Sequence, residues 1–265
     1  MTRILTAMAL VILSAAGAAA EPAALARARG LYNAGSYDAA IEAAATARRD
    51  PTAADAAALV IGRSHLERFR GAGAAEDLTA ARTTLATVRM ETLSPRDQLD
   101  LLIGLAQTLY FGDVFGAAAD VFNSALGRAA ILNTRDRTKL IDWWATALDR
   151  QAQARPADRR APVYQRIVDR IEDELHSEPG SAVANYWMVV ATRGTGDLDR
   201  AWDAALAGWV RASLGSDAVA LRVELDRVVT EALIPERART RAVREQADAT
   251  ASMRAEWEQI KSAWR

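Results

Sequence analysis

Cysteine is absent from the chain. That removes disulfides, thiolate metal sites, a cysteine nucleophile and a lipid-modified N-terminal cysteine, so the core alone must hold the fold. Histidine is nearly absent: His65 and His176 stand alone, and neither a carboxylate nor a second histidine lies at helical spacing from His65, as a metal site would need. Proline (7) and glycine (15) are few, which argues against a long disordered tract. Val, Ile and Thr never gather into alternating runs, so a sheet is not expected. Neither sign of charge dominates: 33 basic against 34 acidic residues leave a formal net charge of −1, and no global electrostatic case exists for nucleic acid or an anionic membrane surface. Lysine occurs only at Lys139 and Lys261, and arginine carries the rest of the positive charge, which reads first as a compositional bias and second as a preference for bidentate anion binding.

What remains is a chain of 265 residues, 51% hydrophobic and rich in alanine, the residue that best favours helix and lets helices approach closely. Met1 to Ala20 carries one positive residue, Arg3, then a short apolar core from Ile4 to Leu13, then small residues ending in Ala18-Ala19-Ala20. This is the layout of a secretory signal peptide with cleavage before Glu21, and the apolar stretch is too short for a good membrane span. An uncleaved anchor is the other reading. Cleavage implies a periplasmic or secreted bacterial protein.

Beyond the leader the chain repeats itself. Ala23 to Asp50 reads as a helix pair broken at Gly35-Ser36, with Ala24, Ala28 and Leu31 on one face of its first helix and Pro51 closing the unit. Ala28 and Ala40 are twelve residues apart; so are Ala106 and Ala118, and Val189 and Ala201. This pattern resembles the tetratricopeptide (TPR) repeat, a helix-turn-helix of about 34 residues with small or large apolar residues at fixed places. In the first unit Ala28, Leu31, Gly35, Tyr37, Ala40, Ala44 and Ala47 fill repeat positions 8, 11, 15, 17, 20, 24 and 27. In the third, Ala106, Leu109, Phe115, Ala118, Phe122 and Ala125 fill 8, 11, 17, 20, 24 and 27. The fifth unit has Trp187, Val189, Gly196, Leu198, Ala201 and Ala205. The second (Gly62, Leu78, Ala81, Leu85, Val88) and fourth (Trp144, Ala145, Leu148, Tyr164, Ile167, Ile171) match with insertions, expected as a long loop at Arg70 to Glu76 and another at Gln151 to Pro162.

The resemblance implies an all-α fold, a TPR-like α-α superhelix: a right-handed solenoid of about five helical hairpins over residues 21–216, with residues 217–265 as C-terminal capping helices and 1–20 as the signal peptide. Pro235 is expected to separate the last two helices, and Arg241 and Glu245 to form an i,i+4 pair on the final one. Each hairpin buries its apolar face only by stacking on its neighbours.

No catalytic signature emerges. Asp197, Asp199 and Asp203 lack the glycine and terminal glutamate of a calcium loop and read as charge at a helix N-terminus. Gly71-Ala72-Gly73 and Gly194-Thr195-Gly196 lack the strand context of a phosphate loop. No cofactor, metal or enzyme activity is expected. The resemblance instead implies a concave groove lined by the first helix of each pair. Its inward positions place Arg29, Tyr32, Arg63, Gln107, Tyr110, Phe111, Tyr186 and Arg193 in that groove, with Trp143 and Trp187 beside it. Aromatics and arginine dominate binding hot spots. Arg29, Arg63 and Gln107 recur at position 9, a weak echo of a carboxylate clamp. Most of the seven tryptophans read as core fillers; Trp257 and Trp264 on one exposed face would instead mark an interface.

The expected function is an exported scaffold that binds a protein or peptide partner, with no nucleic acid and no membrane span after cleavage. The alternatives are an envelope assembly component binding through its convex surface or C-terminal helices, and a helical enzyme or small-molecule-binding protein. Protein recovered from the cell envelope should begin at or near Glu21 by N-terminal sequencing; an intact Met1 would make the leader an anchor.

Overall fold

The structure, a computed structural model, describes residues 21–215 and 218–264. The signal-peptide expectation lies outside them. Among the described residues every regular element is helical. Five hairpins follow one another: α1 (Ala23–Asn33) with α2 (Tyr37–Ala47), α3 (Ala54–Ala72) with α4 (Ala75–Ala86), α5 (Pro95–Phe111) with α6 (Phe115–Leu126), α7 (Thr134–Gln153) with α8 (Ala161–Ser177), and α9 (Ala182–Thr195) with α10 (Leu198–Arg211). First helices of neighbouring hairpins lie side by side, α1 on α3, α3 on α5 and α7 on α9, as stacked repeats require.

Local chemistry sets the ends of these helices. Ser94, Asn133, Ser181 and Asp197 cap α5, α7, α9 and α10, each accepting a backbone N–H three residues on. Such a cap stabilises a helix by about 1 kcal/mol, because it satisfies a donor that has no partner within the helix. Gly35, Gly73 and Gly196 turn the chain between paired helices with positive φ, a region that costs glycine nothing.

Repeat positions 8 and 20 read from sequence are buried, whereas Leu31 and Leu109 at position 11 and Tyr37 and Phe115 at position 17 are half-buried. Ala28, Ala106, Ala145 and Val189 at position 8 are fully enclosed, as are Ala40, Ala81, Ala118, Ile167 and Ala201 at position 20. Gly62 shows why small residues sit there: a Cβ added to it would lie 2.6 Å from the Leu85 side chain. Cores are close-packed, so no slack exists to absorb such a group.

Both expected long loops are shorter than the sequence suggested. The extra residues of the second unit extend α3 to Ala72, leaving only Gly73 and Ala74 between the helices. In the fourth unit α7 runs on to Gln153, and only residues 154–160 connect it to α8. Extending a helix satisfies backbone groups that a loop would leave to water.

The C-terminal region closes the stack by continuing it. α11 (Ala218–Val228) packs beside α9, and a π-helical turn at Val229–Leu233 joins it to α12 (Ile234–Arg239). Pro235 therefore does not separate two helices. It has no N–H to offer the preceding turn and its ring crowds that turn's carbonyl, and a widened turn is a known relief for such a mismatch. The break comes later, at residues 240–242, before α13 (Gln246–Ala263). Arg241 and Glu245 fall in and just after this break, so they form no i,i+4 helical pair. α13 folds back onto α10 and α12 through Trp257, which is fully buried against Trp202 and Trp209 and donates its indole N–H to Asp226 at 2.7 Å. Trp264, half exposed, is left without Trp257 as a surface companion, so the two form no exposed patch. Trp144, Trp187, Trp202 and Trp209 are buried too.

Ala118→Arg should unfold or severely destabilise the protein, because it overpacks a fully enclosed position and buries an unpaired charge. Val223→Arg, on the exposed side of α11, should change the urea midpoint little. Equal midpoints for the two variants would overturn the packing described.

Candidate functional site

The residues expected in the groove fall into three separate settings. At the N-terminal end, Arg29, Tyr32 and Arg63 line a cavity of about 300 Å³ between α1, α3 and α5. Their charges are already matched. Arg29 bonds Asp97 at 2.9 Å, and Arg63 reaches Asp100 at 3.0 Å while lying 5.1 Å from the centre of the Tyr32 ring. Burial would lower the affinity of the Arg63 guanidinium for its proton, but the charges of Asp100, Tyr32 and Glu67 outweigh it and hold it above its ordinary range. Arginines with in-chain carboxylate partners are not a free clamp.

In the middle, Tyr110, Phe111 and Trp143 join an aromatic cluster with Phe69, Phe115 and Phe122. Tyr110 lies edge-on to Phe111, Phe115 and Trp143 at 5.1 to 5.6 Å, and Phe111 meets Phe69 at 5.1 Å. Phe69 can reach Phe111 because α3 carries extra turns. Gln107 is buried, in succession with Ala106 and Thr108, so α5 is enclosed on more than one face there and Gln107 presents nothing to a groove. These residues knit the two halves of the stack. The position-9 clamp of Arg29, Arg63 and Gln107 is therefore not formed.

At the C-terminal end, Tyr186, Trp187 and Arg193 line an open trough where α7, α9 and α11 run side by side. A cavity of about 600 Å³ and another of about 460 Å³ share Asp149, Gln153 and Tyr186 and so form one depression. Trp187 is buried in its floor and donates its indole N–H to Asp142 at 2.8 Å; half-buried Tyr186 stands above it, edge-on at 5.4 Å. Burial keeps the Tyr186 phenol protonated above its ordinary range, with Arg227 opposing and Glu224, Asp149 and Asp142 reinforcing that shift. Tyr164 donates to Asp149 at 2.7 Å and packs on Gly194, whose missing side chain makes room for the ring. Burial and that hydrogen bond raise its pKa well above the usual phenol range, so it remains a donor. Arg193 grips Glu236 through two bonds of 2.7 and 2.6 Å, tying α9 to α12.

The acidic partners Asp97, Asp100, Asp142, Asp149 and Glu224 were missed by sequence reasoning. A signal existed for three of them: Asp100 stands at repeat position 2, and Asp142 and Asp149 at positions 5 and 12, the same inward positions that selected the arginines and tyrosines. Asp97 and Glu224 had none.

His65 has a partner from across its hairpin, Asp77 at 2.7 Å, which Arg68 also reaches at 3.3 Å. Among the described residues no three His, Asp or Glu side chains gather to hold a metal ion, and no helix is long and apolar enough to cross a membrane. Asp197 is the N-cap of α10.

No protein-family model matches the chain, and no curated protein does. Among solved structures it is similar to the Rap conjugation gene regulator of the plasmid pLS20 in complex with the Phr* peptide, at 13% identity over 91% of this chain and 74% of that one, with a TM-score of 0.33.

Tyr110→Ala should lower stability by about 3 kcal/mol, as large-to-alanine changes in packed clusters do. Tyr186→Ala, which loses one ring contact and opens onto the trough, should lower it by clearly less. Urea unfolding of both variants checks the order; the reverse order would place Tyr186, not Tyr110, in the structural cluster.

Proposed function

We propose that this chain is an exported, non-catalytic scaffold of the TPR kind that holds an extended segment of another protein in the trough formed by α7, α9 and α11. The single observation that carries the reading is the continuity of the two cavities through Asp149, Gln153 and Tyr186, across three first helices. A trough of that kind suits a strand-like guest. Packed helices stand about 8–10 Å apart, so crossing three of them takes about 20 Å. An extended chain covers that with about six residues. Tyr186 offers a large contact area that is rigid on one side and wet on the other, the character of a binding anchor.

The middle and N-terminal stretches contribute differently under this reading. The aromatic cluster around Tyr110 and the Arg29–Asp97 and Arg63–Asp100 pairs hold the stack in shape, so the trough presents a preorganised surface and the guest bears most of the ordering cost. Location in the periplasm or outside the cell rests on the Met1 to Ala20 leader alone.

Affinity capture from the cell envelope should recover partners with the wild-type protein that are lost with Thr146→Arg. Thr146 lines the trough on α7, half-buried, and a long side chain there fills it without removing a core group. An unchanged set of partners, with the variant folded by circular dichroism, would move binding off this face.

A further inference from the structure

The two ends of the first-helix surface treat charge differently. At the N-terminal end a tyrosine ring, a guanidinium and a carboxylate form a closed set: Arg63 lies over Tyr32 and is bridged to Asp100. Elsewhere Arg70, Arg170, Arg222 and Arg237 each lie 5.0 to 5.9 Å from the centre of a tryptophan ring. Tyr186 has the same surroundings as Tyr32, a half-buried ring with carboxylates beside it, but among the described residues no arginine of the chain lies over that ring. The larger cavity, on the Asp142 side of Tyr186, is lined by three carboxylates, Asp142, Asp149 and Glu224, against one cation, Arg150. The smaller one adds Arg160, Arg193 and Arg227 against Glu231 and Glu236, with Arg193 already bonded to Glu236, so the excess of negative charge lies in the larger part. Asp142 accepts the Trp187 indole N–H, and Asp149 accepts the Tyr164 hydroxyl and the Gln153 amide; all three donors are neutral, so these bonds leave both carboxylates their negative charge. Glu224 pairs with Arg227 at 2.8 Å on its own helix, at the exposed edge.

We infer that the segment held in the trough is basic, and that one of its arginine or lysine side chains lies on the Tyr186 ring between Asp142, Asp149 and Glu224. The inference rests on the trough being the binding surface. It follows from charge complementarity: an aromatic face attracts a cation, and the attraction grows as water is displaced. Asp142 and Asp149, which have no cationic partner among the described ion pairs, add to it, and Glu224, shared with Arg227, adds less; an acidic guest at the ring would meet like charge. The chain completes this arrangement with its own arginine at Tyr32 and leaves it to the guest at Tyr186. Arg150, at the rim, and Arg227, which bears on the Tyr186 hydroxyl while paired with Glu224, oppose such a guest.

The test is selection of a random twelve-residue peptide display library on the purified protein, followed by anisotropy with the recovered peptides. Arginine or lysine should be enriched, and citrulline in place of the key arginine should weaken binding at least tenfold. Glu224→Gln should weaken it several-fold, Arg150→Ala should strengthen it, and 0.5 M salt should weaken it. The gain with Arg150→Ala cannot come from damaged folding. Recovered peptides that are neutral or acidic yet lost with Thr146→Arg would overturn the basic preference and leave the trough standing. Failure to recover any peptide sensitive to Thr146→Arg would overturn both.

Discussion

Two helices can lie against each other closely only where at least one of them carries no bulky side chain at the point of crossing, and this protein meets that condition again and again. Ala28 and Ala40, Ala106 and Ala118, and Val189 and Ala201 enclose the crossings of three hairpins, and Gly62 does so against Leu85 in another. Because each hairpin is thin, its apolar face must be shared with the next, and a line of hairpins results instead of a globule. The placement of every other group follows from that line. First helices fall side by side, their outward faces form a common surface, and residues far apart in sequence, such as Asp142 and Glu224, come to border one trough.

The hairpins were legible because their small residues recur at a fixed spacing that only helix pairs explain. Insertions were located correctly but given the wrong form: nothing in Arg70 to Glu76 says that a helix will run on to Ala72, since Gly71 and Gly73 both look like breakers and only Gly73 takes positive φ. Pro235 misled in the same way, because it does stand in the first turn of a helix, α12, but the chain reaches it through a π turn that keeps the helix going and not through a break.

The candidate groove was legible in its aromatic and arginine members and not in its balance. Repeat register points a side chain inward but does not say whether a neighbour already occupies the space. Tyr110 and Tyr186 both stood at inward positions, 12 and 5; Phe69, brought near by the longer α3, and Trp143 turn the first setting into a packed cluster, while nothing comparable covers Tyr186. The arginines were equivalent by type, but Asp97 and Asp100 neutralise two of them. Pairing depends on side-chain geometry across three helices, which one-dimensional spacing does not carry.

The unequal furnishing of the two ends has a spectroscopic consequence. The core of the first hairpin and the start of α3 is mostly alanine, with Leu25, Val60 and Ile61 as its large members, whereas all seven tryptophans lie between Trp143 and Trp264. Alanine burial contributes little hydrophobic free energy per residue, so the amino-terminal end belongs to the weakly held part of the stack, where local opening is cheapest. Indole emission is blind to that end. A denaturation curve followed by tryptophan fluorescence reports on the stack from the Trp143 cluster onward, and a curve followed by far-ultraviolet ellipticity begins its descent earlier, the two separating by the span over which the first hairpin has melted and the rest has not.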